Sequence, residues 1–216
     1  AISPRHIDLD EALRGLLGAL CFAPLEQTWL CWIALTPLLA AVWFSGARAK
    51  RRWLRDLFLG YIAGVIFFWG VFYWLYTVTL PGLILVGLYM GVYFALWSWL
   101  AGLLRPPLPN ELIPEARSPW LSSLHNLWLA FILAAAWTAL EWVRSWGWNG
   151  LGVALHDILP MIQVVEYTGV AGLSFLVAFG NVIAITTVRR FILETKVRAR
   201  RPPGAEEARD HRSGPH

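Results

Sequence analysis

Long runs of apolar residues, separated by short polar or charged segments, are the main pattern of this sequence. The runs are Leu13–Ala23, Trp29–Phe44, Leu57–Tyr76, Leu83–Leu104, Leu124–Val143 and Leu159–Val188. A transmembrane helix needs about 20 mostly apolar residues, so Leu13–Ala23 is short for a crossing. Pro37 is expected to kink or soften the second run. We predict an all-α fold, a polytopic membrane helix bundle of about six transmembrane helices with a short first one.

The composition favours a membrane protein over a soluble one. Hydrophobic residues make up 57% of the chain and charged residues 15%, against about 25% charged residues in soluble domains. The 14 tryptophans fit rings that anchor helices at both bilayer interfaces. Although the pI is about 9.4, the basic residues lie in two short clusters beside apolar runs, which is typical of cytoplasmic loops. We therefore expect no nucleic-acid partner.

The positions of the basic residues divide and orient the chain. Residues 1–11 are a polar N-terminal segment, 12–190 the transmembrane domain, and 191–216 a basic tail that we expect to be disordered. The loop at 46–55 and the tail are rich in arginine, whereas 77–82 has no basic residue. Because basic loops stay in the cytoplasm, six crossings place both termini there. The aromatic end of the third run and the segment after the fifth then share the external face.

One pair of charged residues lies at the end of an apolar run. Glu141 and Arg144 are three residues apart, so they share one helix face within salt-bridge reach. Ionisable groups at membrane depth are costly and by default functional, and Arg144 suits the phosphate of a phospholipid headgroup. A pair at a helix end also arises simply by snorkelling to the interface beside tryptophans. The residues alone leave both interpretations open.

Aromatic residues are concentrated at the same predicted depth as this pair. Tyr73, Trp74 and Tyr76 end the third run, and Trp148 follows the charged pair. Together with the pair they are candidates for contact with lipid or substrate. An ordinary aromatic belt at the interface would give the same rings.

Residue types that carry catalysis are sparse. Cys21 and Cys31 lie in apolar surroundings without a polar activator, so we interpret them as buried structural thiols. His156 and Asp157 are neighbours, and because adjacent side chains diverge we do not expect a catalytic dyad. Ser174 is not in a G-x-S-x-G elbow. We expect no metal, no cofactor and no catalytic residue in this chain.

Four blocks of the sequence follow one another in a recognisable order. They are GALCFAPLEQTWLCWIALTPLL (Gly18–Leu39), FFWGVFYWLYTV (Phe67–Val78), AWTALEWVRSWGWNGLG (Ala136–Gly152) and GVAGLSFLVAFGNVIA (Gly169–Ala184). Together they resemble the apolipoprotein N-acyltransferases over about residues 18–190. The positions that match the family's pattern are Tyr73, Trp74, Tyr76, Glu141, Arg144, Trp148, Gly152, Gly169, Gly172, Ser174, Phe175 and Asn181. Of these, Gly152, Gly169, Gly172 and Asn181 form the structural part of the pattern.

The resemblance implies an activity. Enzymes of this family transfer an acyl chain from a phospholipid to the N-terminal diacylglyceryl-cysteine of lipoproteins, through a cysteine thioester, at the outer face of the bacterial inner membrane. Their Glu-Lys-Cys triad belongs to a nitrilase-like domain that follows the helices and is not in this sequence. We therefore expect a truncated membrane domain that does not catalyse alone. Its partners would be phospholipid as donor, diacylglyceryl lipoprotein as acceptor, and the nitrilase-like domain in cis or in trans.

Two other functions remain as alternatives. The chain is alternatively a standalone lipid-binding or scaffolding membrane protein that works with a separate catalytic chain, which a neighbouring nitrilase-like gene would indicate. A small-solute transporter is less favoured, because the runs show neither a polar pathway near the midplane nor an inverted repeat.

Overall fold

The computed structural model describes residues 28–44, 51–106, 119–144 and 150–200. The predicted first span at 13–23, Cys21 and Trp148 lie outside these residues. The chain divides into two compact units, Ala1–Ile185 and Thr186–His216.

Helices make up nearly all of the described residues. The α-helices are α1 (Thr36–Phe44), α2 (Arg52–Val71), α3 (Leu80–Leu103), α4 (Pro119–Arg144) and α5 (Leu159–Arg200). Short 3-10 helices lie at Thr28–Trp32, Tyr73–Thr77 and Leu151–Leu155. The described ranges contain no strand, and the predicted all-α class is confirmed.

Four helices are long and apolar enough to cross a membrane. The spans are Arg52–Val71, Leu80–Leu103, Trp120–Arg144 and Leu159–Ile192. The helix bundle is therefore confirmed, but the second predicted span, Trp29–Phe44, is a shorter apolar segment. Its α-helix, α1, has 9 residues and a length of about 14 Å, half of the roughly 30 Å hydrocarbon core.

The break in this segment does not lie at Pro37, where the sequence places it. Pro37 is in the first turn of α1, where a missing N–H costs nothing because that group has no helical partner. The chain instead leaves helical geometry between Trp32 and Thr36. Hydrogen bonds between the side chain of Asn181 and the backbone of Cys31 and Leu35 stabilise that break.

The last helix differs from its predicted bounds and is interrupted within its length. It continues to Arg200 rather than ending at Val188, so it includes residues 191–200 of the segment assigned to the tail. Gly169 has φ 68° and ψ 179°, a conformation essentially restricted to glycine. α5 is therefore two helical segments joined at Gly169.

Glycines bring α2 and α3 into close contact. A Cβ added to Gly91 would lie 2.6 Å from Val65 Cγ2, and one added to Gly64 would lie 2.6 Å from Phe94 Cβ. The side chain of Trp69 covers Gly87 in the same way. Small residues at these positions let the two backbones pack closely, which is how helices associate in a membrane without a hydrophobic driving force.

Buried tryptophans join α3 to α1 and to α4. Trp43 Nε1 donates to Ala101 O, and Trp97 Nε1 donates to Leu133 O, each at 2.9 Å. The Trp97 ring meets the Trp137 ring edge to face, with 5.1 Å between centroids. An indole N–H buried among apolar groups needs an acceptor, so these bonds orient α1 and α4 on α3. Trp137 is thereby held one helical turn before Glu141.

A candidate lipid site at the aromatic end of the bundle

Glu141 lies in the last turn of α4 and accepts two hydrogen bonds through one oxygen. Its Oε1 is 2.7 Å from Trp137 Nε1, one turn earlier on the same helix. It is also 2.7 Å from the backbone nitrogen of Leu151, which follows the end of α4. The carboxylate therefore connects the end of α4 to the segment that returns toward α5.

The next amide of that segment is bound by α5. Gly152 N donates to Ser174 Oγ at 2.8 Å, and Ser174 is fully buried. The first amides of a helix have no partner within it. Glu141 and Ser174 thus cap the 3-10 helix Leu151–Leu155 from two different helices.

Gly152 is required here by space. A Cβ at this position would lie 2.6 Å from Val170 O and 2.7 Å from Ser174 N, which are backbone atoms of α5. A Cβ at the preceding Gly150 would lie 3.0 Å from Glu141 Oε2. The glycines let the backbone approach α5 closely enough for the Gly152–Ser174 hydrogen bond.

We expect Gly152→Ala to lower the free energy of unfolding by about 1–3 kcal/mol, since backbone atoms of α5 must shift to admit the methyl group. The measurement is reversible unfolding in detergent micelles. Gly180→Ala on α5 is the matched control, because the added methyl would lie 3.0 Å from its nearest neighbour, a ring carbon of Trp32, and needs only a small shift of that side chain. Equal stability of the two variants would contradict the close approach at Gly152.

Arg144 is the last residue of α4 and is only 6% exposed. Its Cζ lies 5.1 Å from the centroid of the Phe68 ring, in the last turn of α2. A guanidinium over an aromatic face is attracted by the ring quadrupole, more strongly when water is excluded. The C-terminal ends of α2 and α4 therefore lie at the same end of the bundle.

Glu141 and Arg144 line one open pocket. The other lining residues are Tyr93, Phe94, Trp137 and Leu140. The hydroxyl of Tyr93 is 2.9 Å from that of the exposed Tyr89, one turn away on α3. The pocket lining thus combines aromatic and aliphatic side chains with a carboxylate, a guanidinium and a phenol.

The predicted aromatic residues lie on the chain just beyond Phe68. Tyr73, Trp74 and Tyr76 belong to the 3-10 helix after α2, and each is more than half exposed. The rings of Tyr73 and Tyr76 are stacked, with 6.4 Å between centroids. They do not line the pocket with Arg144.

Asn181 does not line this pocket and is fully buried. Its Oδ1 accepts from the backbone nitrogens of Leu35 at 2.9 Å and Thr36 at 3.2 Å. Its Nδ2 donates to Cys31 O and Val177 O, both at 2.8 Å. The side chain therefore satisfies the backbone where Thr28–Trp32 ends and α1 begins.

Two other predictions concern possible catalytic residues. Cys31 is fully buried in the hydrophobic core. The expectation that His156 and Asp157 diverge is wrong, because His156 Nε2 lies 3.2 Å from Asp157 Oδ1. The backbone turns at His156, at the end of a 3-10 helix, and this brings the two exposed side chains together.

Sequence reasoning missed Trp137 and Tyr93 as members of the site. Trp137 precedes Glu141 by four residues, and this helical spacing is a signal that was present. Tyr93 comes from another helix, and no local pattern in the sequence relates it to Arg144. Only the packing of α3 on α4 brings them to one pocket.

Long apolar helices, buried polar side chains that satisfy helix ends, and an exposed aromatic end define a polytopic α-helical membrane protein. The family model described as the apolipoprotein N-acyltransferase N-terminal domain matches residues 14–183. The chain belongs to the apolipoprotein N-acyltransferase family, as the four sequence blocks indicated.

Individual members of the family match over most of the chain. The apolipoprotein N-acyltransferase of Geobacter metallireducens is 34% identical over 198 residues, which is 87% of this chain and 34% of that protein. That of Rickettsia bellii is 30% identical over 182 residues, 77% of this chain and 32% of that protein. That of Rhodopirellula baltica is 29% identical over 180 residues, 76% of this chain and 28% of that protein. The chain thus spans about a third of the length of these relatives.

Proposed function

We propose that this chain is the membrane domain of an apolipoprotein N-acyltransferase of the bacterial inner membrane. Both termini of this chain lie in the cytoplasm in this proposal. The whole enzyme transfers an acyl chain from a phospholipid to the N-terminal diacylglyceryl-cysteine of a lipoprotein. The family match over residues 14–183 supports this proposal. The nitrilase-like domain that carries the chemistry acts in cis or in trans.

The pocket that contains Glu141 and Arg144 is the observation that carries the proposed role of this domain. A buried guanidinium beside apolar walls suits a phosphodiester, with the acyl chains along the aromatic surface. Tyr73, Trp74 and Tyr76 extend that surface, and Trp148 is a further candidate contact. The domain therefore binds phospholipid and lipoprotein chains and presents them to the catalytic domain.

Acyl transfer itself is assigned to residues outside this chain. A nucleophilic cysteine needs a reachable thiolate and a base to activate it. Cys31 is fully buried in the core, which supports a structural role. The chain alone is therefore expected to bind lipid without forming a thioester.

A chimera tests this proposal. Residues 1–200 of this chain are joined to the part of the Geobacter metallireducens relative that lies beyond its matched region, in cells depleted of their own N-acyltransferase. We expect N-acylated lipoprotein, measured by mass spectrometry, from the chimera and none from either part alone. A thermal unfolding transition in detergent first shows that the chimera is folded.

The chain alone is also incubated with acyl-labelled phospholipid in vesicles. We expect no hydroxylamine-sensitive label on the protein. Label on Cys21 or Cys31 would overturn the assignment of the chemistry to another domain. A folded chimera that does not acylate would favour the alternative, a lipid-binding or scaffolding protein for a different catalytic chain.

A further inference from the structure

A cluster of charged side chains lies at the end of the bundle opposite the Glu141–Arg144 pocket. Asp56, near the start of α2, is 3% exposed. Its Oδ1 lies 2.7 Å from Arg55 Nη2, and its Oδ2 lies 3.6 Å from Arg105 Nη2. Arg105 follows the end of α3, so the cluster joins the start of α2 to the end of α3. We call Arg55, Asp56 and Arg105 the basic-end cluster.

The same two arginines hold the end of α1. Arg55 Nη2 donates to Val42 O at 3.1 Å, and Arg105 Nη2 donates to the same oxygen. The last carbonyl oxygens of a helix have no N–H donor within it, so Val42 O is available to both arginines. Three helix ends therefore meet at two guanidinium groups and one carboxylate.

The cluster has more positive charge and more hydrogen-bond donors than the described part of the chain pairs with negative charge or acceptors. One carboxylate faces two guanidinium groups, and the exposed Arg51 adds to the positive side. Within the described residues, Nε of Arg55 and both Nε and Nη1 of Arg105 have no hydrogen-bond acceptor. The side chain of Arg105 is only 10% exposed. A buried, charged donor without an acceptor is unfavourable, so the cluster is stabilised by an added anion.

The electrostatics of Arg105 agree with this geometry. Burial lowers the pKa of Arg105, and Asp56 opposes that shift, while Arg55 and Arg52 add to it. Arginine nevertheless stays protonated in proteins. Because the buried guanidinium of Arg105 stays charged, pairing with a negative charge is what can stabilise it.

We propose that the basic-end cluster binds the phosphate of an anionic lipid headgroup in the leaflet at this end of the bundle. Phosphate oxygens match the planar fork of guanidinium donors. Headgroups lie at the depth where transmembrane helices end, and anionic lipids attract basic segments there. Asp56 occupies one nitrogen of each arginine and fixes its orientation, which leaves the other donors for the ligand. The side chain of Arg55 is 23% exposed, so a headgroup can reach the cluster from the surface at this residue.

The test uses this chain in nanodiscs of phosphatidylcholine with or without phosphatidylglycerol. Retained lipids are counted by native mass spectrometry, and thermal stability is measured in each bilayer. We expect phosphatidylglycerol to be retained and to raise the Tm. Arg105→Gln should lower the apparent affinity for phosphatidylglycerol about tenfold, as expected for loss of a charge-assisted hydrogen-bond pair.

Two further variants separate this site from general charge effects. Arg190→Gln removes one positive charge elsewhere and should leave the preference for phosphatidylglycerol unchanged. Arg105→Lys keeps the charge but loses the planar fork, so it should weaken the preference even if Arg105→Gln does not fold. A preference that is the same in wild type, Arg105→Lys and Arg105→Gln would overturn the proposal.

The phosphate group could come from a lipid headgroup or from free phosphate in solution. Adding inorganic phosphate to phosphatidylcholine nanodiscs distinguishes these two sources. Stabilisation by phosphatidylglycerol alone assigns the site to lipid. Stabilisation of wild type but not of Arg105→Lys by inorganic phosphate supports a phosphate site that is filled from solution. If neither source stabilises the wild-type chain, the proposal is wrong.

Discussion

We expect Asn181→Leu to lower the free energy of unfolding by about 3–6 kcal/mol, because it leaves buried backbone groups without partners. Leu35 N and Cys31 O would each lose a hydrogen bond of 2.8–2.9 Å. No water replaces them, since the Asn181 side chain is fully buried. The measurement is unfolding of the purified chain in micelles, followed by tryptophan fluorescence.

Two controls identify the hydrogen bonds as the cause. Asn126→Leu makes the same change at a half-buried position of α4 and should cost far less. Asn181→Asp keeps the acceptor oxygen but removes the donor to Cys31 O, so it should also destabilise the chain strongly. If Asn181→Leu is as stable as Asn126→Leu, Asn181 does not hold the start of α1.

The long spans could be predicted because their signal is local. Each of the four consists of about 20 or more consecutive residues of high hydropathy, and a bilayer leaves such a segment few alternatives to a helix. Hydropathy measures the free energy of transferring side chains from water into lipid. In those segments this free energy dominates over the other contributions that decide whether a helix forms.

The segment Trp29–Phe44 shows where that reasoning stops. Its residues are apolar enough for a span, but its backbone leaves helical geometry before Thr36. The break is stable because the amide of Asn181 replaces the missing helical hydrogen bonds. That side chain lies more than a hundred residues further along, so no local pattern could predict the break.

The candidate site was predictable to a similar extent. The i,i+3 spacing of Glu141 and Arg144 placed both on one helix face, and both line one pocket. Their separate partners could not be foreseen: Arg144 contacts Phe68 on α2, and Glu141 binds the amide of Leu151. These contacts depend on how the ends of α2 and α4 meet, which only the packed structure gives.

The second large effect is expected at Glu141. Glu141→Leu should destabilise the chain by about 2–5 kcal/mol, because Trp137 Nε1 and Leu151 N both lose their acceptor. Glu141→Gln retains a carbonyl oxygen that can accept both hydrogen bonds, so it should remain much closer to wild type. Both variants are measured by unfolding in micelles and, in the chimera with the Geobacter metallireducens catalytic part, by lipoprotein N-acylation.

The pair of variants separates a structural role from a role of the negative charge. If hydrogen bonding to the 3-10 helix Leu151–Leu155 is what matters, stability and acylation fall together in Glu141→Leu and are both retained in Glu141→Gln. If the charge itself acts on Arg144 or on a headgroup, Glu141→Gln stays stable but loses acylation. A Glu141→Leu variant as stable and as active as wild type would contradict both roles, because the two donors would then have found other acceptors.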